Sequence, residues 1–386
     1  MVQPESEMEN RFRRLLEQNN EQHRAETAIK LKRQGRRIIG TVDSSFPEEV
    51  IYAAGMMPWR ITGTWQENVA LAHAHRSVDT DDYSNHIFQS LLEGELDFLD
   101  GLVISCEYDD IRRLRDNWDY MEKTPFTYLL YVPCKDTEIT RRAFTEALTE
   151  FISRFKQFFR VKISESSLRN AIQVYNQWRK LLMRVYELRK KEVPPVSGRE
   201  ALKLVTASFT MPKDEFNQEL EALLPYLEQR KAPIKHLQPR LLISGDKLDN
   251  PAYLELIENT GSLIAMDDLD TGSRYMWGLT RLDKAPLTAL IERYISRPPS
   301  PLITEWSKYV EQAIAWTREY NITGVLNLPH LHSLSRQMVT PYFRDKLTEA
   351  GIPVMSFKID YHLANAEQLK TRIGAFIELL LAKGKD

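Results

Sequence analysis

A strand-like run, a polar turn, a proline-led helix and a terminating glycine occur in that order twice in this chain. The first copy is RRIIGTV (36–42), the turn Asp43-Ser44-Ser45-Phe46, a helix opened by Pro47 (PEEVIYAA) and Gly55. The strand-like MPWRITG (57–63) follows. The second is PRLLISG (239–245), the turn Asp246–Asn250, a helix opened by Pro251 (PAYLELIENT) and Gly261, then SLIAMDD (262–268). Proline suits the first helical position because its missing N–H would be unpaired there, and glycine suits the left-handed position beyond the last turn. Each copy continues with two apolar runs of buried-strand length: GLVISC (101–106) and FTYLLYVP (126–133), then GVLNLP (324–329) and IPVMSFKID (352–360). Helical patterns separate these runs, which predicts parallel strands joined by helical crossovers.

The predicted fold class is therefore α/β, with two doubly wound parallel-sheet domains of similar plan joined by a helical region. The expected boundaries are an N-terminal helical extension at 1–34, a first α/β domain at 35–160, a helical region at 161–235 and a second α/β domain at 236–386. The extension reads as one exposed helix, with sparse apolar positions at Phe12, Leu15, Leu16, Ile29 and Leu31 and a stop at Gly35. The helical region holds LRNAIQVYNQWRKLLMRVYELRKK (168–191), broken by Pro194-Pro195, then REALKLVTASF and the run 214–230. Residues 231–239 read as the link into the second sheet.

Composition narrows the function. The balance of 52 basic against 54 acidic residues provides no electrostatic footprint for nucleic acid or an anionic membrane. No run approaches the ~18 apolar residues of a membrane span, and the charged N-terminus lacks the apolar stretch of a secretory signal. Two cysteines, Cys106 and Cys134, form no disulfide framework. A soluble, cytoplasmic protein is expected.

Open parallel sheets bind ligands beyond the C-terminal ends of their strands. That rule selects Asp43 to Ser45, Arg60 to Gly63, Cys106 to Asp109, Ser244 to Asp249, Asp267 to Arg274, and His330 with His332. Helix capping accounts for many of the Ser, Asp and Asn residues among them. There is no GxGxxG after either first strand, and no GxxxxGK[ST], GxSxG or HExxH motif. Two His-x-His pairs, His73/His75 and His330/His332, have the spacing that puts both rings on one face of an extended segment. Asp79, Asp81 and Asp82 make an acidic loop that reads as a solvated turn.

Six segments, in register along the chain, resemble the subunits of the 2-hydroxyacyl-CoA dehydratase and benzoyl-CoA reductase family. They are GTVDSSFPEEVIYAAGMMPWRITG (40–63), LEGELDFLDGLVISCEYDDIRRLRDNW (92–118), LRNAIQVYNQWRKLL (168–182), RLLISGDKLDNP (240–251), MDDLDTGSRYMW (266–277) and QLKTRIGAFIELL (368–380). The resemblance implies paired subunits, each of two α/β domains, with a four-iron four-sulfur cluster beside an acyl-CoA thioester. It also implies an ATP-hydrolysing activator protein that delivers one electron at low potential, making a ketyl radical. A hydroxyl then leaves in the dehydratases (lyases), or a ring is reduced in the reductases (oxidoreductases). By the same resemblance, Ser44, Ser45 and Glu48 fall on catalytic positions, and Arg60, Asp268, Thr271 and Arg274 on substrate-binding ones.

The family holds its cluster with three cysteines of one subunit. Cys106 matches the middle one, but Asp79–Asp82 stands where the first belongs and His332 or Ser333 where the third belongs. Asp270 replaces a further cysteine of many relatives. Thiolates are the usual ligands because soft sulfur donors suit the cluster irons. The expectation is thus a cluster-poor partner, the cluster itself being held by a homologous sister subunit. A non-catalytic structural or regulatory subunit, or a single-metal protein using Cys106 with His332 or other histidines, are the alternatives.

Overall fold

The two copies of the repeat form two four-stranded sheets in the structure, a computed structural model that describes residues 5–233, 238–297 and 305–383. The first sheet contains β1 (Ile38–Thr41), β2 (Met57–Arg60), β3 (Gly101–Ser105) and β4 (Thr127–Leu130), in the order β2-β1-β3-β4. The second contains β5 (Arg240–Gly245), β6 (Leu263–Asp268), β7 (Gly324–Leu328) and β8 (Val354–Ser356), in the order β6-β5-β7-β8. Every pairing is parallel, and the two orders correspond strand for strand. In each sheet the first strand lies between the second and the third. The crossovers therefore leave it on opposite sides, and a crevice opens at its C-terminal end.

Both faces of each sheet are covered, which explains strands that are apolar throughout. Ile39 and Val103 pack on Phe144, Phe151 and Phe155 of helix Glu138–Phe159. On the other face, Ile38, Leu102 and Ile104 meet Ile87 and Leu91 of helix Asp82–Leu92, with Leu114 and Trp118 of helix Asp109–Tyr120. In the second sheet, Leu242 and Val325 face the helical region, while Leu241, Ile243 and Leu326 face helices Pro251–Asn259 and Ala366–Lys383. Reciprocal capping boxes start helices Glu165–Leu188 and Gly198–Ala207, at Ser164 and Ser197. Of the expected link at 231–239, residues 234–237 lie outside the described residues.

The N-terminus corrects the expectation of one exposed helix. Two helices occur, Glu5–Leu16 and Glu21–Arg33, and Asn20 caps the second by accepting from His23 N at 2.8 Å. Met8, Phe12, Leu15 and Leu16 fall on one helical face and are buried in the helical region's core. Arg230 stacks over the Phe12 ring at 4.9 Å and pairs with Glu9 at 2.9 Å. Few apolar residues suffice when they share one stripe.

Chain order and packing also diverge in the second half. Helix Pro286–Ile295 inserts Leu290, Ile291 and Tyr294 among the phenylalanines beside the first sheet, and Tyr361 is buried in that sheet's other cluster. The two halves thus share core as well as a crevice.

Gly198 tests the packing of the helical region on the second sheet. A Cβ there would lie 2.5 Å from Ile264 Cβ on β6, closer than atoms tolerate. We expect Gly198→Ala to cost on the order of 1–3 kcal/mol, read as a lower urea midpoint with unchanged slope.

Candidate functional site

The strand ends of both sheets converge on a knot of buried charges. Arg60, the last residue of β2, donates to Asp270, and Lys247 donates to Glu107 Oε2 at 2.8 Å. The Lys247 ammonium also lies 3.7 Å from Asp270. Ser44 donates to Asp270 and Ser45 to Glu107, so the turn after β1 is tied to the turns after β3 and β6. Asp43 accepts from Ser45 N at 2.9 Å, from Ser105 N at 3.1 Å and from the Ser105 hydroxyl.

The electrostatics follow from these contacts. Burial works to raise the Asp270 pKa, but Lys247 and Arg60 outweigh it and hold the carboxyl well below the usual range. Burial likewise opposes the Lys247 ammonium, while Asp270 and Glu107 raise its pKa above the ordinary lysine value. Asp43 is the surplus acid. Burial and the neighbouring Glu107 push it up to about 6.

Between these groups lies a cavity of about 30 Å³, lined among others by Ser44, Ser45, Glu107, Lys247, Asp270 and Arg274. That space holds about one water. Arg274 donates to Gly245 O and to Asp268 O at 3.1 Å, with its Nε 3.4 Å from Asp268 Oδ1. Asp268 also accepts from Ser244 and Tyr309, each at 2.8 Å. Thr271 gives its hydroxyl to Leu248 O at 2.5 Å. Ser44, Ser45 and Arg274 therefore reach the cavity, and Arg60 acts on it through Asp270. Asp268 and Thr271 hold up its floor and are not among the residues lining it.

Glu48 is placed elsewhere. It accepts from Tyr275 at 2.6 and 2.7 Å, from Tyr175 at 3.1 Å and from Thr41 at 3.3 Å, with Lys213 at 3.9 Å. Burial lowers Lys213 to about 8. Neighbouring Glu49 bonds Arg179 at 2.5 Å and Tyr294 at 2.8 Å. The Pro-Glu-Glu segment thus anchors the short helix Glu48–Ala53 to the helical region rather than facing the cavity.

The expected metal ligands do not converge. Cys106 is half-buried, and burial pushes its thiol up. His332 Nδ1 pairs with Asp82 at 2.9 Å. His73 ends a helical turn, Ala70–His73, and both it and His75 are exposed, so that pair does not share the face of a strand. Asp81 is buried, accepting from Ser84 N at 3.0 Å, which corrects the solvated-turn expectation at that position. His330 is buried too, with neither ring nitrogen partnered among the described residues. Among the described residues no three His, Cys, Asp or Glu side chains are placed to hold a metal ion. The groups acting on Cys106 are Arg112, Asp109, Asp43 and one further thiol, Cys134, fewer sulfur donors than a four-iron cluster takes. The residues present do not fit that cluster.

Arg293 and Arg297 escaped the strand-end rule, because they come from helix Pro286–Ile295 and the residues after it. Both line the cavity, and among the described residues neither forms an ion pair. Burial and nearby Arg179 lower Arg293 to about 10. The signal was an arginine beside Leu290 and Tyr294 on a face that is otherwise buried.

The knot's chemistry can be probed at two positions. Lys247→Met leaves Glu107 buried without its cation, while Asp270 keeps Arg60, and should cost about 3–5 kcal/mol; adding Glu107→Gln should recover part of that loss in chemical denaturation. Asp43, with a folded-state pKa raised above the ordinary 3.8, stabilises most when protonated. Its contribution is complete below about pH 4 and lost as pH rises through about 6. The unfolding free energy of the wild type relative to Asp43→Asn should accordingly fall across that window, by up to about 3 kcal/mol, and a rise would contradict the assignment.

Comparison with known proteins agrees with this frame. The model of the family described as 2-hydroxyglutaryl-CoA dehydratase, D-component, matches residues 43–380. The chain is 24% identical over 361 residues to the (R)-phenyllactyl-CoA dehydratase beta subunit of Clostridium sporogenes, covering 91% of this chain and 93% of that one. It is 25% identical over 355 residues to a benzoyl-CoA reductase subunit of Thauera aromatica, covering 89% and 90%. Against the (R)-2-hydroxyglutaryl-CoA dehydratase beta subunit of Acidaminococcus fermentans the identity is 23% over 359 residues, covering 91% and 94%. The chain therefore belongs to the beta-subunit family of 2-hydroxyacyl-CoA dehydratases and benzoyl-CoA reductases, as a cluster-poor member with only two cysteines.

Proposed function

We propose that this chain is the cluster-poor subunit of a heteromeric acyl-CoA dehydratase or reductase. In that complex a homologous sister subunit holds the four-iron four-sulfur cluster, and an ATP-hydrolysing activator protein supplies the electron for one-electron reduction of the thioester. The observation that carries the proposal is a complete family frame whose cleft is filled by the Arg60–Asp270–Lys247–Glu107 knot. Such a knot has no use for a cluster and no room for one.

Within the complex this chain's residues bind and position. Arg293 and Arg297 offer cationic groups without an ion-pair partner among the described residues, suited to the phosphates of coenzyme A. Ser44 and Ser45 have their hydroxyls committed to Asp270 and Glu107, so their work is to fix the turn after β1. A cavity of about 30 Å³ also favours a second reading, a structural or regulatory subunit, since no acyl group fits it. On either reading the reacting acyl group lies outside this cleft.

Anaerobic purification through a tag on this chain should bring down a homologous chain with cysteines at the three cluster-ligand positions. For that complex we expect Arg293→Gln with Arg297→Gln to weaken acyl-CoA binding by at least about tenfold, while S-acyl pantetheine, which lacks the nucleotide phosphates, binds as before. An equal loss for both thioesters, or none for either, would remove the phosphate role and favour the structural reading.

A further inference from the structure

Helix Glu21–Arg33 buries Ala28 and Leu31, and it leaves space beneath it. Between this helix, the segment after β2 and the turn after helix Asp82–Leu92 is a cavity of about 540 Å³, which shares no lining residue with the cleft at the strand ends. Its wall is apolar over Ala25, Ala28, Ile29, Trp59, Leu96 and Phe98. Small-molecule sites have this size, roughly 300–1,000 Å³, and this make-up: apolar walls with a few polar groups.

The polar groups here are donors without acceptors. Trp59 Nε1 and Thr62 Oγ1 are buried and have no hydrogen-bond partner among the described residues. Arg24 forms no ion pair or side-chain hydrogen bond among the described residues. Burial holds its pKa below the ordinary arginine value, although Asp249 and, from the wall itself, Glu95 attract it from beyond ion-pair reach. The remaining charges of the wall are accounted for otherwise. Lys32 pairs with Asp100 at 2.9 Å, and Glu21, Arg33 and Glu95 are exposed to solvent. A guanidinium without a partner, in the same wall as two buried unpaired donors, is complementary to an anionic acceptor. One inward cation matches a single negative charge better than a phosphate dianion.

We infer that this cavity binds a small organic acid, whose carboxylate accepts from Arg24 and whose aryl or branched-alkyl body lies against Trp59 and Phe98. The inference does not depend on the role proposed for the strand-end cleft.

Calorimetric titration of the full chain with phenylacetate, phenylacetamide and acetate tests it. Phenylacetate should saturate one site, with the neutral amide and the bodiless acetate each weaker by at least about tenfold. Arg24→Gln should abolish the preference for acid over amide. Ala25→Trp, a change at an exposed position of the wall, should weaken acid and amide together by filling the space. Equal binding of acid and amide, a preference that survives Arg24→Gln, or no binding of phenylacetate at millimolar concentration would each overturn the inference.

Discussion

Four buried charges at the meeting of two sheets set the rest of this molecule. Arg60 and Lys247 face Asp270 and Glu107, and each comes from a different strand end. Desolvating an ion costs several kcal/mol even in a relaxed protein, so such a group persists only when each charge has its partner. The knot is neutral as a set, and its geometry requires that the ends of β2, β3, β5 and β6 stay in register. Ser44 and Ser45 then draw in the turn after β1. Asp43, a fifth charge with no cation of its own, shows the limit of the arrangement, since burial and Glu107 push its carboxyl up.

The same knot bears on the chemistry. A cleft built to hold a soft-ligand cofactor presents thiolates, whereas this one presents hard ions in pairs, Arg60 with Asp270 and Lys247 with Glu107. Asp270 is the acceptor shared by Arg60, Lys247 and Ser44. Cys106 keeps its strand-end position but is raised in pKa by burial, opposite to the shift that makes a good metal ligand.

Much of the fold was legible because its signals are local. Pro47 with Gly55 and Pro251 with Gly261 punctuate both copies, and the eight apolar runs are the eight strands. What stayed hidden depends on distant pairing. Nothing in the sequence couples Lys247 to Glu107, which are 140 residues apart, or sends helix Pro286–Ile295 back to the first sheet. The resemblance implies a catalytic role for Glu48, whereas Tyr175 and Tyr275, contributed by the helical region and by helix Ser273–Met276, enclose it. The N-terminal helix reads as exposed because its apolar residues are few, and only the partner surface shows that Met8, Phe12, Leu15 and Leu16 are all buried. Of the candidate site, the strand-end rule found the acids, serines and Lys247 but missed Arg293 and Arg297, whose helix is no part of a strand end.

If the knot excludes the cluster, this subunit does not itself hold the redox centre. Anaerobic reconstitution of the isolated chain with iron and sulfide, followed by metal analysis and electronic spectra, tests that most directly. We predict iron far below stoichiometric and no sulfur-to-iron charge-transfer absorption. About four irons and four sulfides per chain, with that absorption and its loss in Cys106→Ala, would contradict it.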